Sequence, residues 1–216
     1  MTHSQTEMVI PVGNVEVEGE LTMPSGAKGV VLFAHGSGSS RFSPRNHYVA
    51  KEFNNVKIAT LLFDLLTAEE EETDVETAEY RFNIALLAKR LIGVTKWLRN
   101  DLLTKTLAFG YFGASTGAAA ALIAAAKLPN DIVAVVSRGG RPDLAEKYLS
   151  SVVAPTLLLV GGLDYEVIEL NRLAMDQMKN EKKLVIVPGA THLFEEPGTL
   201  EQVAKVSADW FLRYLG

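Results

Sequence analysis

The stretch LAFGYFGASTGAAAALIAAAKL, residues 107–128, decides how the chain folds. It opens with a continuous apolar run, Leu107–Phe112, of the kind found in strands buried on both faces. It ends in an alanine-dominated segment, Thr116–Leu128, closed by Pro129, which reads as a helix lying very close to a sheet. Between them stands Gly113-Ala114-Ser115-Thr116-Gly117. A serine at such a strand-to-helix turn is forced into a strained backbone, with its hydroxyl thrust above the sheet. Glycine on either side is a steric requirement, because side chains there would collide with the neighbouring strand and helix. In a chain with 17 glycines the five-residue pattern alone says little. Its strand–turn–helix setting is what makes it informative.

Reading outward, the same kind of short apolar run recurs at Gly29–Ala34, Ile58–Phe63, Ile132–Val136, Thr156–Val160 and Leu184–Val187. Helical stretches separate the runs, as parallel crossovers require. Ser43-Pro44 reads as an N-cap followed by proline at the first helical position, opening a helix to about Phe53. A long helix is expected from about Val75 to Asn100, with Ile84, Leu87, Leu91, Val94 and Leu98 as its inner stripe. Further helices are expected near Asp143–Ser150, Glu166–Lys179 and Thr199–Tyr214. Ahead of all these, Met8–Val12 and Val15–Met23 flank Gly13-Asn14, a hairpin turn pair. Glu16, Glu18 and Glu20 alternate with apolar residues there, so this hairpin has a wet face and belongs at a sheet edge. The pattern predicts one α/β domain over residues 1–216, with 1–7 as a flexible tail. The charge run Glu69–Glu72, with Asp74 and Glu76, lies in the connection before the long helix. It reads as a solvated loop whose acids favour a helix N-terminus, or as a flap over a site.

Composition narrows the function classes. A chain of 216 residues with 48% hydrophobic residues buries roughly 70% of its unfolded surface and needs no staple. Cys 0 excludes a thiol nucleophile, a thiolate zinc site and an iron–sulfur cluster. No apolar run approaches the ~18 residues of a membrane helix, and the polar Met1–Met8 is no signal-peptide core. A net charge of -5 gives no global attraction to nucleic acid or anionic lipid, and the default compartment is the cytoplasm. Nothing in the sequence sets an oligomeric state.

A serine hydroxyl needs a base to become a nucleophile, and the base needs an orienting acid. Two other runs end in candidates. Thr156–Val160 leads through Gly161-Gly162-Leu163 to Asp164, and Leu184–Val187 leads through Pro188-Gly189-Ala190-Thr191 to His192. In an open α/β sheet ligands bind outside the carboxyl ends of the strands, so three strands deliver Ser115, Asp164 and His192 to one rim. Asp164 could instead cap the following helix, and Glu166, Glu195 and Glu196 are rival acids. His192 could be a satisfied loop histidine. A third element, His35-Gly36-Ser37-Gly38-Ser39-Ser40, follows Gly29–Ala34. Backbone N–H groups of Ser37 and Thr116 are the expected donors to a developing oxyanion, with His35 bracing the loop. A phosphate-cradling role for this Gly/Ser turn lacks the Gly-Lys-Ser/Thr that normally follows.

These segments, together with Ser43-Pro44-Arg45-Asn46, Gly110–Ala121, Ser137–Ala145 and Pro188–His192, resemble the dienelactone-hydrolase-like α/β hydrolases. The resemblance covers essentially residues 8–214. It implies an α/β-hydrolase fold: an eight-stranded, mostly parallel sheet with strand 2 antiparallel, flanked by helices. Some sequences of that group are fused to a phosphoribosyltransferase domain, and none is expected within these residues. One departure matters: dienelactone hydrolases proper use a cysteine nucleophile, whereas position 115 is serine. That points to ordinary esters rather than dienelactone. Many relatives insert a cap domain between the sixth and seventh strands, but only Arg138–Pro155 stands there, too short for a large lid.

The sequence reading is therefore a serine hydrolase of small carboxylic esters or lactones, without metal or cofactor. Alternatives are acyl transfer, thioester or peptide cleavage by the same triad, or a non-catalytic binding protein on this fold. Arg41, Arg45, Arg138 and Arg141 lie near the expected rim. Guanidinium groups there fix a carboxylate or phosphate, or else hold loops by pairing with Glu69–Glu72, Asp143 or Glu146. His35, Gly36, Arg41 and Arg138 are accordingly the candidate substrate-binding residues, and a carboxylate-bearing substrate is the corresponding expectation.

Overall fold

A computed structural model describes residues 3–216. Eight strands form one sheet in the order β1-β2-β4-β3-β5-β6-β7-β8. They are β1 (His3–Val12), β2 (Val15–Pro24), β3 (Gly29–Ala34), β4 (Ala59–Phe63), β5 (Ala108–Ala114), β6 (Ile132–Arg138), β7 (Thr156–Gly161) and β8 (Lys182–Val187). Strand β2 runs antiparallel to β1 and β4, and all other pairings are parallel. This is the eight-stranded arrangement that the resemblance implies.

The hairpin corrects one expectation. Thr6 pairs with Leu21 and Gln5 with Thr22, so residues 3–7 continue β1 rather than forming a tail. Once the Gly13 turn sets the register, the ten-residue β2 offers backbone partners that hold even a polar segment. The rest of that tail, residues 1 and 2, lies outside the described residues.

Helices cover both faces. On one side pack α3 (Ile84–Leu98), α4 (Thr116–Lys127), a 3-10 turn (Pro142–Ala145) with the short α5 (Glu146–Leu149), and α6 (Tyr165–Gln177). On the other lie α1 (Pro44–Asn55) and α7 (Thr199–Leu212) around Phe33, Phe53, Phe112 and Phe211. The ring centroids of these four are 4.8–5.9 Å apart in tilted and edge-on pairs. Each such side chain stabilises the fold by roughly 1.5–3 kcal/mol on burial. Residues Ala118–Leu122 of α4 are fully buried, which is why alanine dominates this helix.

The glycines of the β5–α4 turn have a measurable reason. A Cβ on Gly113 would lie 2.4 Å from Ala118 Cα, and one on Gly117 would lie 2.2 Å from the carbonyl oxygen of Ala34. Both obstacles are backbone, so neither can swing aside.

The expected single helix from Val75 is two. The acidic run forms its own helix, α2 (Ala68–Thr77), and α3 starts only at Ile84. Thr67 and Glu70 close a reciprocal capping box at the start of α2, and Ala78 (φ 56°) ends it in the left-handed region. Asn83 then caps α3 through Leu86 N–H. Only Asp74 is buried in α2. It accepts from the N–H groups of Tyr80 (2.7 Å) and Arg81 (2.9 Å) and from Arg81 Nε (2.6 Å). Burial pushes its carboxyl upward, but these donors outweigh burial and leave its pKa below the usual value.

Gly117→Ala should therefore destabilise the protein by about 2–3 kcal/mol or more, measured by urea unfolding, since the overpacking is against main chain. For Asp74 the folded pKa is depressed, so its contribution is present above the unfolded pKa and lost as pH falls through the folded one. Asp74→Asn should lower Tm at neutral pH and lessen the further fall in Tm on acidification below about pH 4, measured by calorimetry.

Candidate active site

Ser115 stands at the apex of the β5–α4 turn with φ 50° and ψ -120°, a conformation that L residues rarely adopt. The turn is tied to the end of β6 on both sides. Ser115 N–H donates to Arg138 O (3.2 Å), and Ser115 O accepts from Arg141 N–H (3.1 Å). The strained residue is half-buried at the carboxyl ends of the strands.

Asp164 follows β7. By position it is the N-cap of α6, but its side chain caps nothing. Its Oδ2 lies 2.6 Å from His192 Nδ1 instead. The loops that carry the two residues touch at Gly161, where a Cβ would lie 2.5 Å from the carbonyl oxygens of Ala190 and Thr191. A carboxylate only accepts, so Nδ1 carries the proton and Nε2 keeps its lone pair. Two of the three rival acids are engaged elsewhere. Glu196 accepts from Thr191 N–H and Oγ1, and Glu195 pairs with Arg45.

His192 and Ser115 meet over one short stretch of chain. A Cβ on Gly139 would lie 3.6 Å from His192 Cε1, and the preceding residue, Arg138, holds the Ser115 N–H. Among the described residues no hydrogen bond joins Ser115 Oγ to the His192 ring. Each residue adjoins the Arg138–Gly139 backbone, and they are not bonded to each other.

The loop after β3 closes the other side. A Cβ on Gly36 would lie 3.1 Å from Ser115 Cβ, so the loop leans closely on the serine where a side chain would be crowded. Ser37 N–H donates to Thr116 Oγ1 at 2.9 Å. The two residues expected to bind an oxyanion are thus in contact, with the Ser37 donor engaged by the Thr116 hydroxyl. His35 is buried; its Nε2 accepts from Leu65 N–H and its Nδ1–H donates to Gly36 O, both at 3.0 Å. Burial holds its pKa below the ordinary imidazole value against the Gly36 carbonyl and the carboxylates of Asp64 and Glu71. It is a neutral brace between the β3 and β4 loops.

The arginines separate into two groups. Arg41 binds Asp64 through its N–H (2.7 Å) and its guanidinium, and also reaches Glu18. Arg141 forks onto Asp143 at 2.8 and 2.9 Å. Both hold loops. Arg138 is 6% exposed and has no carboxylate; its Nη2 makes one long bond, 3.4 Å, to Asn46 Oδ1. Neither that isolation nor the part played by Asn46 is readable from residue order.

A cleft of about 920 Å³ lies between the hairpin and the start of α2, lined by Val15, Arg41, Asp64 and Glu69 among others. It touches His35 but none of Ser115, Asp164 and His192, so volume does not mark the chemistry here. Among the described residues no cluster of three or more His, Asp or Glu could hold a metal, and no helix is long and apolar enough to cross a membrane.

No family profile matches the chain. It is 57% identical over 209 residues, 97% of its length, to the "Putative phosphoribosyl transferase" of Mycobacterium tuberculosis strain H37Rv. The chain spans about half the length of that relative, 46%. Est1E from Butyrivibrio proteoclasticus superposes with a TM-score of 0.80 at 17% identity, over 96% of this chain and 98% of that one, a likeness of fold. The crystal structure of dienelactone hydrolase from Anabaena variabilis is 55% identical, with a TM-score of 0.98 over 99% of both chains. The chain has the α/β-hydrolase fold and belongs to the dienelactone hydrolase family.

Proposed function

We propose that the protein is a serine hydrolase of small carboxylic esters or lactones, acting through an acyl-enzyme on Ser115. The observation that carries the reading is the 2.6 Å contact between His192 Nδ1 and Asp164 Oδ2 at the rim where the strained Ser115 stands. Ser115 Oγ attacks the acyl carbon as His192 Nε2 takes its proton. Asp164 stays ionised and stabilises the imidazolium. The carbonyl oxygen becomes an oxyanion held by Thr116 N–H and by Ser37 N–H, which exchanges its bond to the Thr116 hydroxyl for the stronger one to the charge. His192 then gives its proton to the leaving alkoxide, and the C–O bond of the ester breaks. Water enters, gives a proton to His192 and attacks the acyl carbon; acid is released as Ser115 regains its proton.

A small substrate suits the short β6–β7 connection, which supplies a 3-10 turn and the four-residue α5 in place of a cap. The transferase name carried by the mycobacterial relative describes a protein about twice this length. The segment shared with it supports acyl chemistry, and we assign no phosphoribosyl transfer to it. The acyl-enzyme could also pass its acyl group to an alcohol or amine in place of water; partitioning with added methanol distinguishes that outcome.

Turnover of short-chain p-nitrophenyl esters should fall by about 10³-fold or more in Ser115→Ala and His192→Ala, and by about 10²–10⁴-fold in Asp164→Asn. A fluorophosphonate probe should label Ser115 in the wild type. Equal inactivity of wild type and Ser115→Ala, with Ser115 unlabelled, would favour a non-catalytic protein on this fold.

A further inference from the structure

Among the described residues every other arginine of the chain lies within 3.1 Å of a carboxylate. Arg138 alone has none, although it is among the most buried. Its Nε is sealed from solvent without an acceptor. Its guanidinium lies 5.9 Å from the Phe194 ring centroid, at the limit of useful cation–π attraction. Burial and the nearby charge of Arg45 together lower its pKa to about 10, so it remains a cation at neutral pH. A buried cation facing a second cation is unfavourable unless an anion joins them.

The surroundings supply the rest of an anion site. Arg45 and Asn46 belong to the first turn of the twelve-residue α1, which carries no acid there. The side chain of its N-cap Ser43 accepts only from Asn46 N–H, Pro44 has no N–H, and no acceptor among the described residues takes the N–H of Arg45. The Nε of Arg45 is likewise sealed without an acceptor. The one carboxylate on Arg45 is that of Glu195, whose side chain is 62% exposed and free to yield to a ligand. Arg138 is the last residue of β6 and its carbonyl accepts from Ser115 N–H, so the main chain that carries this guanidinium adjoins the nucleophile.

We propose that Arg138, Arg45 and the first turn of α1 form an oxyanion subsite beside Ser115, and that it takes a phosphate-type dianion carried by the substrate. Two guanidinium groups and a helix N-terminus favour two negative charges over one, and a phosphate monoester carries about -1.5 to -2 near pH 7. Once Glu195 has yielded Arg45 to the ligand, a carboxylate supplies one charge and leaves the second cation uncompensated. The subsite deepens the hydrolase reading, since it names a chemical class for the substrate, but its ligand binding is measurable without catalysis.

The test has two arms. In calorimetric titrations with inorganic phosphate, wild type and Ser115→Ala should bind alike, and Arg138→Met should bind at least tenfold more weakly. Arg45→Met, at a partly exposed position, should weaken binding at least threefold and serves where Arg138→Met fails to fold. Undiminished phosphate affinity in the folded variants, or acetate binding as tightly as phosphate to the wild type, overturns the subsite. In the second arm, kcat/KM is compared for a neutral ester, its carboxylate half-ester and its phosphate-bearing analogue. The phosphate-to-neutral ratio should drop thirtyfold or more in Arg138→Met and less in Arg138→Lys. A wild-type preference for the half-ester over the phosphate analogue overturns the dianion assignment. If Ser115 proves not to be the nucleophile, the binding arm still decides on the subsite.

Discussion

The contact between strand β5 and helix α4 governs the site. Gly113 lies against the backbone of Ala118, and Gly117 against the carbonyl of Ala34, at distances that leave no room for even a methyl group. Between them Ser115 occupies φ 50°, ψ -120°, and the strain is held by main-chain bonds to Arg138 and Arg141. Elsewhere in the fold the same device recurs more mildly. Gly36 lets the β3 loop touch Ser115, and Gly161 lets the Asp164 and His192 loops touch each other.

Asp164 is freed from helix capping and orients His192, while Glu195 and Glu196, which might have competed for that ring, are held by Arg45 and Thr191. Buried and neutral, His35 fastens the loop after β3 to the loop after β4. Among the described residues Arg138 is the one arginine without a carboxylate partner. In a protein that pairs all its other arginines, that exception is more informative than any ion pair.

The acidic segment shows where reading by pattern failed. Apolar periodicity runs clearly through Ile84–Leu98, and extending it back to Val75 gave one long helix in place of two. α2 has almost no apolar stripe, because it buries only Asp74 and relies on its Thr67–Glu70 capping box and on ion pairs to Arg81 and Arg90. The Thr-x-x-Glu signature was available at residues 67–70 and outweighs periodicity in so polar a stretch. Residues 3–7 misled in the same way: their polarity suggested a tail, but strand pairing needs only backbone partners of sufficient length.

Local sequence sufficed for the order of the strands, for the strained turn at Ser115, and for nominating Asp164 and His192 at the ends of their strands. Each of these depends on sterics or periodicity within a dozen residues. Tertiary structure alone decided which acid meets the imidazole, that Thr116 holds the Ser37 N–H, that Arg41 and Arg141 are tethered, and that Arg138 is not. Those outcomes depend on distances between residues far apart in the chain, and a charge is paired or unpaired only by what the fold brings beside it.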